Sequence, residues 1–164
     1  MRAFITVAII ISISACNQSA DNEKELQKRV DSLEKKISEN YKPGFGEFMS
    51  SIQVHHAKLW FAGQNENWAL ADFEINEIKE TLENVQKYQT ERNESKLIGL
   101  LYPSLDSVNQ AVQQKNSNLF RNSYILLTNS CNNCHKETGF GFNRVKIPDS
   151  PPFNNQNFKA EKMQ

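Results

Sequence analysis

Residues 120–135 read Phe-Arg-Asn-Ser-Tyr-Ile-Leu-Leu-Thr-Asn-Ser-Cys-Asn-Asn-Cys-His, and this stretch decides the predicted fold. Phe120, Tyr124, Leu127 and Cys131 follow one another at intervals of four and three, the spacing of one face of an α-helix. Cys131 and Cys134 are also one helical turn apart, so both lie on one side of that turn. The segment therefore predicts a helix that ends in a cluster of thiol and imidazole side chains.

The last five of these residues spell C-x-x-C-H, the pattern of covalent c-type haem attachment. Two thiols on one side of a turn can form thioethers with both vinyl groups of one porphyrin, and His135 then lies under the iron as the proximal ligand. A redox C-x-x-C pair usually stands beside a βαβ pattern, which is not found here, and a zinc site needs a second ligand pair, for which no cysteine remains downstream. We therefore predict one covalent haem c on Cys131 and Cys134.

A short apolar segment opens the chain. Residues 3–15 follow Arg2 and contain only three hydroxyl side chains, which is typical of a secretory signal and too short to span a bilayer. The segment ends in Ile-Ser-Ala before Cys16, and this ending resembles a bacterial lipobox. The resemblance implies cleavage of residues 1–15 and transfer of a diacylglycerol to the sulfur of Cys16. The alternative is an ordinary signal peptide with a chance cysteine after it.

The three cysteines are then fully assigned, one to lipid, two to haem and none to a disulfide. Both modifications belong outside the bacterial cytoplasm. We expect a protein that is lipid-anchored to a bacterial membrane, on the periplasmic side or at the cell surface. Asn17 is not the aspartate associated with inner-membrane retention in enterobacteria, but the choice between inner and outer membrane stays open.

Composition limits the class of protein further. The mature chain from Cys16 onward has one domain's worth of residues. Removal of Arg2 with the signal leaves 18 basic against 19 acidic residues. No basic patch or stripe indicates nucleic-acid binding.

Residues 16–43 are expected to form a lipidated helical tether. Four apolar residues recur within this charged stretch at spacings of four, three and four, which predicts one helix with an a/d stripe. They are Leu26, Val30, Leu33 and Ile37. Two heptads are few for a stable coiled coil, so the tether is interpreted as a spacer, with a homo-oligomer left open.

Four more helices are predicted in residues 44–138. The first runs from about Gly46 to Ala62 and ends at Gly63. The second starts near Trp68 and buries a stripe with helical spacing. This stripe consists of Ala71, Ile75, Ile78, Leu82 and Val85.

The third predicted helix contains Pro103, which either kinks it or marks its beginning. Asn116 or Ser117 caps the fourth helix, which ends before Gly139. Helices of this length joined by short loops predict an all-α fold, namely an antiparallel up-down four-helix bundle with a helical tether before it and an irregular tail, residues 139–164, after it.

Four helices with C-x-x-C-H near the end of the last one resemble the cytochrome c-prime and four-helix-bundle cytochrome superfamily over about residues 44–138. This resemblance implies a haem c between helices, with Cys131, Cys134 and His135 in their usual roles. Residues 52–63 and 151–156 are also similar to a group of bacterial haem-c proteins without known activity. The tail has no counterpart in the c-prime pattern, and we expect it to pack over the end of the bundle near the haem.

The sixth iron ligand has two candidates. In an antiparallel bundle the start of the first helix and the end of the last lie at one level, which brings Met49 opposite His135. Histidine and methionine are the usual ligand pair of electron-transfer c-type cytochromes, although methionine is also common core filler. His56 lies about 10 Å farther along the helix axis and is the alternative ligand, or else a hydrogen-bonded core residue.

A second group of polar residues could form a non-haem metal site or a proton relay. His55 and His56 on the first helix could meet Asp72, Glu74 and Glu77 on the second. Runs of glutamate are usually a solvated helix face, and this is the interpretation that we prefer for them.

Three functions are compatible with these features. The first is a low-spin electron carrier that exchanges electrons with redox partner proteins and is not an enzyme. The second is a five-coordinate protein that binds a small gas such as nitric oxide. The third is a haem enzyme or enzyme subunit in which His56 or the acidic residues deliver protons. We expect the electron carrier.

Replacement of Cys16 tests the predicted anchor. The Cys16→Ser protein should lack lipid, because no thiol remains to accept the diacylglycerol, and membrane attachment through buried acyl chains should be lost. Mass spectrometry of the native N-terminal peptide should find acyl mass on Cys16. A native peptide with a bare, unmodified cysteine would contradict the prediction.

Overall fold

The computed structural model describes residues 21–37, 39–40 and 43–161. The predicted signal segment and Cys16 lie outside the described residues. The chain divides into two compact units, Met1–Lys42 and Pro43–Gln164. The second unit contains both the predicted bundle and the tail.

The helix predicted within the tether is present in the first unit. Residues 21–37 form helix α1, and residues 39–40 are also helical. Every described side chain of α1 is exposed, including the apolar stripe. Leu26 and Ile37 each expose 62% of their surface, which is unusual for such large apolar residues.

The second unit contains only helices and irregular segments among the residues that the structure describes, so the predicted all-α class is confirmed. Helix α2 packs along α3 and α5 packs along α6, while α3 also contacts α5 and α2 contacts α6. The bounds are α2 Phe45–Gln64, α3 Trp68–Tyr88, α4 Asn93–Leu97, a 3₁₀ turn Ile98–Leu101, α5 Tyr102–Gln113 and α6 Ser117–Glu137.

One continuous apolar core joins these helices. The stripe predicted for α3 is buried along its whole length, and Leu59, Leu105 and Phe120 are completely buried beside it. Burying each such side chain contributes about 1.5–3 kcal/mol relative to leaving it exposed. The helices are therefore held chiefly by their facing apolar stripes.

Two helix starts follow the local sequence rules. Pro103 lies in the first turn of α5, where its missing N–H costs no helical hydrogen bond, so it marks a beginning and not a kink. Asn116 caps α6, since its side-chain oxygen accepts the N–H of Leu119 at 3.0 Å. Both outcomes were among the alternatives that the sequence left open.

The predicted end of the first bundle helix at Gly63 is wrong. Helix α2 continues to Gln64, and Glu66 then turns the chain with a positive φ of 54°. Gly63 is buried, and a Cβ atom added to it would lie 2.2 Å from the Phe120 ring. This glycine permits close approach of α2 to α6 and does not terminate the helix.

Gly63→Ala should destabilise the protein, because the added methyl overlaps a buried aromatic ring. Overpacking of this kind costs about 1–3 kcal/mol. Gly46→Ala, in the first turn of the same helix, meets nothing within 4 Å and should be neutral or slightly stabilising. Urea unfolding of the two variants measures the difference, and equal stabilities would contradict the assigned role of Gly63.

Candidate haem site

A cavity of about 440 Å³ brings together residues that are distant in the chain. Met49 from α2 lines it together with Cys131, Cys134 and His135 from α6, and His56 also reaches its wall. Its volume is within the usual range for a bound small molecule or cofactor. Much of the remaining wall is aliphatic, formed by Ile52, Ile78, Leu82, Ile98, Leu101 and Leu127.

The two thiols of the motif are not joined to each other and have raised pKa values. Cys131 and Cys134 form no disulfide. Burial raises the pKa of the Cys131 thiol to about 12, and burial also raises the pKa of Cys134. A redox dithiol needs a thiol of lowered pKa, so the electrostatics of this site do not favour disulfide exchange.

His135 has the hydrogen bond that suits a metal ligand. Its Nδ1 lies 2.6 Å from the carbonyl oxygen of Asn143, which can only accept, so Nδ1 carries the proton. The neutral ring then has its lone pair on Nε2. A ligating histidine commonly donates its other N–H to a carbonyl in this way. The side chain therefore fits the role of proximal ligand.

The segment after α6 folds back onto the motif. Gly139 ends the helix in the left-handed region, at φ 84°, and the Phe140 N–H donates to the His135 carbonyl at 2.7 Å. The Asn132 side chain then forms two hydrogen bonds with the backbone of Val145, donating to its carbonyl and accepting its N–H, each at 2.8 Å. The tail thus packs beside the predicted haem residues, as the sequence led us to expect.

The tail continues away from the motif along the second unit. The Lys58 ammonium lies 5.6 Å from the centre of the Phe153 ring, and the buried Phe158 packs against Phe61. Farther on, the Asn67 side chain donates to the Lys159 carbonyl at 3.4 Å. These contacts make the tail an integral part of the folded unit.

Met49 lies in the second turn of α2 and is partly buried against the core. It lines the cavity that the attachment motif also lines. The thioether can therefore serve either as a core contact or as an iron ligand from α2.

His56 is held in a buried hydrogen-bond network. The Thr128 hydroxyl donates to the Tyr124 carbonyl at 2.9 Å, so His56 Nε2 must donate to Thr128 Oγ1, 3.0 Å away. The single proton of the Tyr124 hydroxyl faces two acceptors on His56, the backbone carbonyl oxygen at 2.8 Å and the ring Nδ1 at 2.9 Å. Each ring nitrogen thus lies within hydrogen-bond distance of a hydroxyl group of α6, and ligation of iron by His56 would require displacing one of these contacts.

His55 faces a different neighbour from His56. Its Nδ1 lies 2.6 Å from a Glu74 carboxylate oxygen, and its Nε2 lies 3.8 Å from Glu77. Glu74 is fully buried, with Lys58 Nζ 3.9 Å from its other oxygen. The solvated-face interpretation is therefore wrong for Glu74, which is buried in the helix interface beside His55 and Lys58 of α2.

The five polar residues weighed from the sequence do not form one site. His56 points to α6, and Asp72 accepts a hydrogen bond from Gln113 at 2.6 Å. Within the described ranges of the chain, no three histidine, cysteine or carboxylate side chains converge as a metal-ion site. The His55–Glu74 pair is therefore best explained as a bond between α2 and α3.

Nothing in the sequence indicated the roles of four residues near the cavity. Asn132 and Asn143 hold the loop and His135 as described above. Arg92 and Arg144 line the cavity, and Arg92 also lies 2.7 Å from Glu94. No local pattern could have found Asn143, because its contribution is a backbone carbonyl that only the path of the loop brings to His135.

Comparisons with known proteins identify no relative. No protein-family model matches the chain, and neither a curated protein nor a solved structure gives a significant match. Among the helices of the described residues, none is sufficiently long and apolar to cross a membrane.

Burial of His56 predicts a pH-dependent stability. Desolvation lowers its pKa from 6.5 to about 4, so the unfolded chain binds this proton more tightly than the folded one. The contribution of the neutral, buried His56 ring to the free energy of unfolding is complete above about pH 7. It is lost as the pH falls through 6.5 toward 4, and the loss is roughly 2–3 kcal/mol at pH 4.5.

His56→Gln removes the titrating group and serves as the control, since carboxylates also titrate in this range. Urea unfolding should be measured for the wild type and for His56→Gln at pH 7.5 and at pH 4.5. The stability of the wild type relative to His56→Gln should be lower at pH 4.5 than at pH 7.5 by the stated amount. An unchanged difference would show that His56 does not titrate in this way.

Proposed function

We propose that this protein is a monohaem c-type cytochrome, anchored by lipid at Cys16, that carries electrons outside the bacterial cytoplasm. One observation supports the proposal above the others. A single cavity joins the complete C-x-x-C-H motif with Met49, although 82 positions separate Met49 from Cys131 in the chain. The pattern of the motif and the geometry of the cavity point to the same chemistry.

Each residue has a defined part in this proposal. Cys131 and Cys134 would hold the haem covalently, through thioethers formed by addition of their S–H groups across its two vinyl groups. His135 offers Nε2 to the iron, and the Asn143 carbonyl holds the ring in that tautomer. Met49 offers its thioether sulfur from α2. Bound haem supplies an iron that alternates between ferric and ferrous, and a methionine ligand favours the ferrous state.

The arrangement of the helices is inferred to be up-down and antiparallel. Residues 65–67 connect α2 to α3, and residues 114–116 connect α5 to α6. Connections of three residues between packed helices favour antiparallel neighbours. The proposed resemblance to the cytochrome c-prime superfamily agrees with this inference.

Electron transfer is preferred to catalysis because the cavity wall offers no free base at His56. Its Nε2 donates to Thr128, its Nδ1 is covered by the Tyr124 hydroxyl, and burial keeps the ring neutral by lowering its pKa to about 4. The buried Glu74 is paired with His55 and does not line the cavity. The proposed partners are therefore redox proteins, met at the membrane to which the lipid attaches the chain.

Covalent attachment is the first test. Acid-acetone extraction of the purified protein should leave the haem on the polypeptide, since thioethers survive this treatment. The Cys131→Ser/Cys134→Ser double variant should retain no covalent haem. Release of free haem from the wild type, or full retention by the double variant, would overturn the proposal.

Met49→Ala tests the sixth ligand. If Met49 binds iron, the variant should become high-spin, its reduction potential should fall, and carbon monoxide should bind the ferrous form. If Met49 is only a core residue, the variant should lose about 2–5 kcal/mol of stability with little spectral change. Optical spectra of the ferric and ferrous proteins distinguish these results.

His56→Ala is the matched control for Met49→Ala. It should destabilise the fold, because Tyr124 and Thr128 lose a partner, and should leave the iron spectrum unchanged. Opening of the iron site by His56→Ala alone would assign the sixth ligand to His56. A wild-type protein that is already high-spin would favour binding of a small gas over electron transfer.

A further inference from the structure

Asn132 is one of two side chains of the motif that hold the loop after α6, and His135 is the other. Asn132, the first variable residue of C-x-x-C-H, donates from Nδ2 to the Val145 carbonyl and accepts the Val145 N–H at Oδ1, both at 2.8 Å. A primary amide is suited to this task because it offers a donor and an acceptor side by side. Asn133, the next residue, is exposed and lies outside this pair.

The same loop provides the acceptor for His135. Asn143, whose carbonyl lies 2.6 Å from His135 Nδ1, is only two residues before Val145. The carbonyl belongs to a segment of irregular structure, so no helix or sheet hydrogen bonds fix its position. A turn bond from the Asn143 N–H to the Phe140 carbonyl, at 2.8 Å, holds the segment on one side, and the hydrogen bonds between Asn132 and Val145 join it to α6 on the other.

We propose that Asn132 is a positioning residue for the iron ligand, acting through residues 143–145 on the hydrogen bond of His135. This inference rests on the proposed function, since it concerns the haem that His135 would bind. Donation of Nδ1–H to a carbonyl makes the imidazole a stronger electron donor and so stabilises the ferric state. Without the hydrogen bonds between Asn132 and Val145, the loop can move away from α6, and the bond from His135 to the Asn143 carbonyl becomes weaker. The redox equilibrium of the iron then shifts toward the ferrous state.

Asn132→Ala should therefore raise the reduction potential of the haem-loaded protein. We expect about a tenfold increase in the ratio of ferrous to ferric protein at a fixed electrode potential, which corresponds to 59 mV for one electron. Hydrogen exchange should accelerate at the Val145 amide in the same variant. Asn133→Ala changes the same residue type within the same motif and should alter neither quantity.

Val145→Pro breaks the pair from the other side, because proline lacks the N–H, and it should raise the potential while Asn132 remains. If Asn132→Ala accelerates hydrogen exchange at the Val145 amide but leaves the reduction potential unchanged, Asn132 has only a structural role and the inference fails. Unchanged exchange would also overturn it. Haem content is measured separately as the pyridine haemochromogen, so a wild-type chain without covalent haem would be recognised as failure of the proposed function itself.

A second inference concerns α1 and rests on different observations. Its four stripe residues are exposed, and they follow a heptad pattern with Val30 and Ile37 at a positions and Leu26 and Leu33 at d positions. β-Branched residues at a with leucine at d favour a parallel two-stranded coiled coil. The occupant that this face fits is therefore α1 of a second copy.

The flanking charges favour the same pairing. In a parallel pair, Arg29 at a g position faces Glu34 at the next e position of the partner helix, which places opposite charges together. In an antiparallel pair, g positions face g positions, and Arg29 would then approach Lys36. We infer that α1 forms a parallel homodimer contact, which two chains anchored at the same end to one membrane would readily make. Two heptads are marginal in isolation, and attachment to a membrane raises the effective concentration.

Cysteine cross-linking of the lipidated, haem-loaded protein in phospholipid vesicles tests this contact. Leu33→Cys should form an intermolecular disulfide, because d positions of a parallel pair meet in register, whereas Ser32→Cys on the outer face should not. Arg29→Glu in the Leu33→Cys background should reduce the yield several-fold, and adding Glu34→Arg should restore it. Equal yields for Leu33→Cys and Ser32→Cys, or no disulfide in either, would overturn the inference.

Discussion

The buried bond between His56 and the pair Tyr124 and Thr128 is the constraint on which this arrangement depends. It joins α2 to α6, the two helices that carry Met49 and the C-x-x-C-H motif. The His56 and Tyr124 rings also stack at 4.5 Å between centroids. Because buried donors and acceptors are costly when unpaired, the network permits little variation in the register of the two helices. The relative level of Met49 and His135 follows from that register.

Aromatic packing continues the same contact toward the other end of α2. The ring centroids of Trp60 and Tyr124 are 4.8 Å apart. The Phe120 ring packs directly against Gly63, where any larger residue would overlap it. The apolar half of the α2–α6 contact therefore excludes water, while the other half opens into the cavity. Such an apolar wall would suit the proposed haem, which is a large planar group with few polar contacts.

Polar contacts around the cavity divide into two systems with different tasks. The network of His56 belongs to the core and fixes the helices. The bonds of Asn132 and His135 belong to the loop after α6, and they determine the orientation of the imidazole at the edge of the cavity. The hydrogen bond between His55 and Glu74 is a third contact, which joins α2 to α3 outside this cavity.

Local patterns gave most of the helices correctly. The α3 stripe, Pro103 in the first turn of α5 and the cap at Asn116 follow from rules that act within one or two turns. Gly63 and Glu74 were misinterpreted because their roles depend on residues far away in the chain, namely Phe120 for the glycine and His55 with Lys58 for the carboxylate. No rule of local spacing contains that information.

The sequence by itself determined the attachment motif, the all-helical class and the buried faces of the helices, since each depends on residues separated by a single turn. Only the tertiary structure decided that Met49 lines the same cavity as His135, that both nitrogens of His56 lie beside hydroxyl groups of α6, and that the Asn143 carbonyl contacts His135. These relations join segments that the chain keeps apart, and packing of the core brings them within hydrogen-bonding distance.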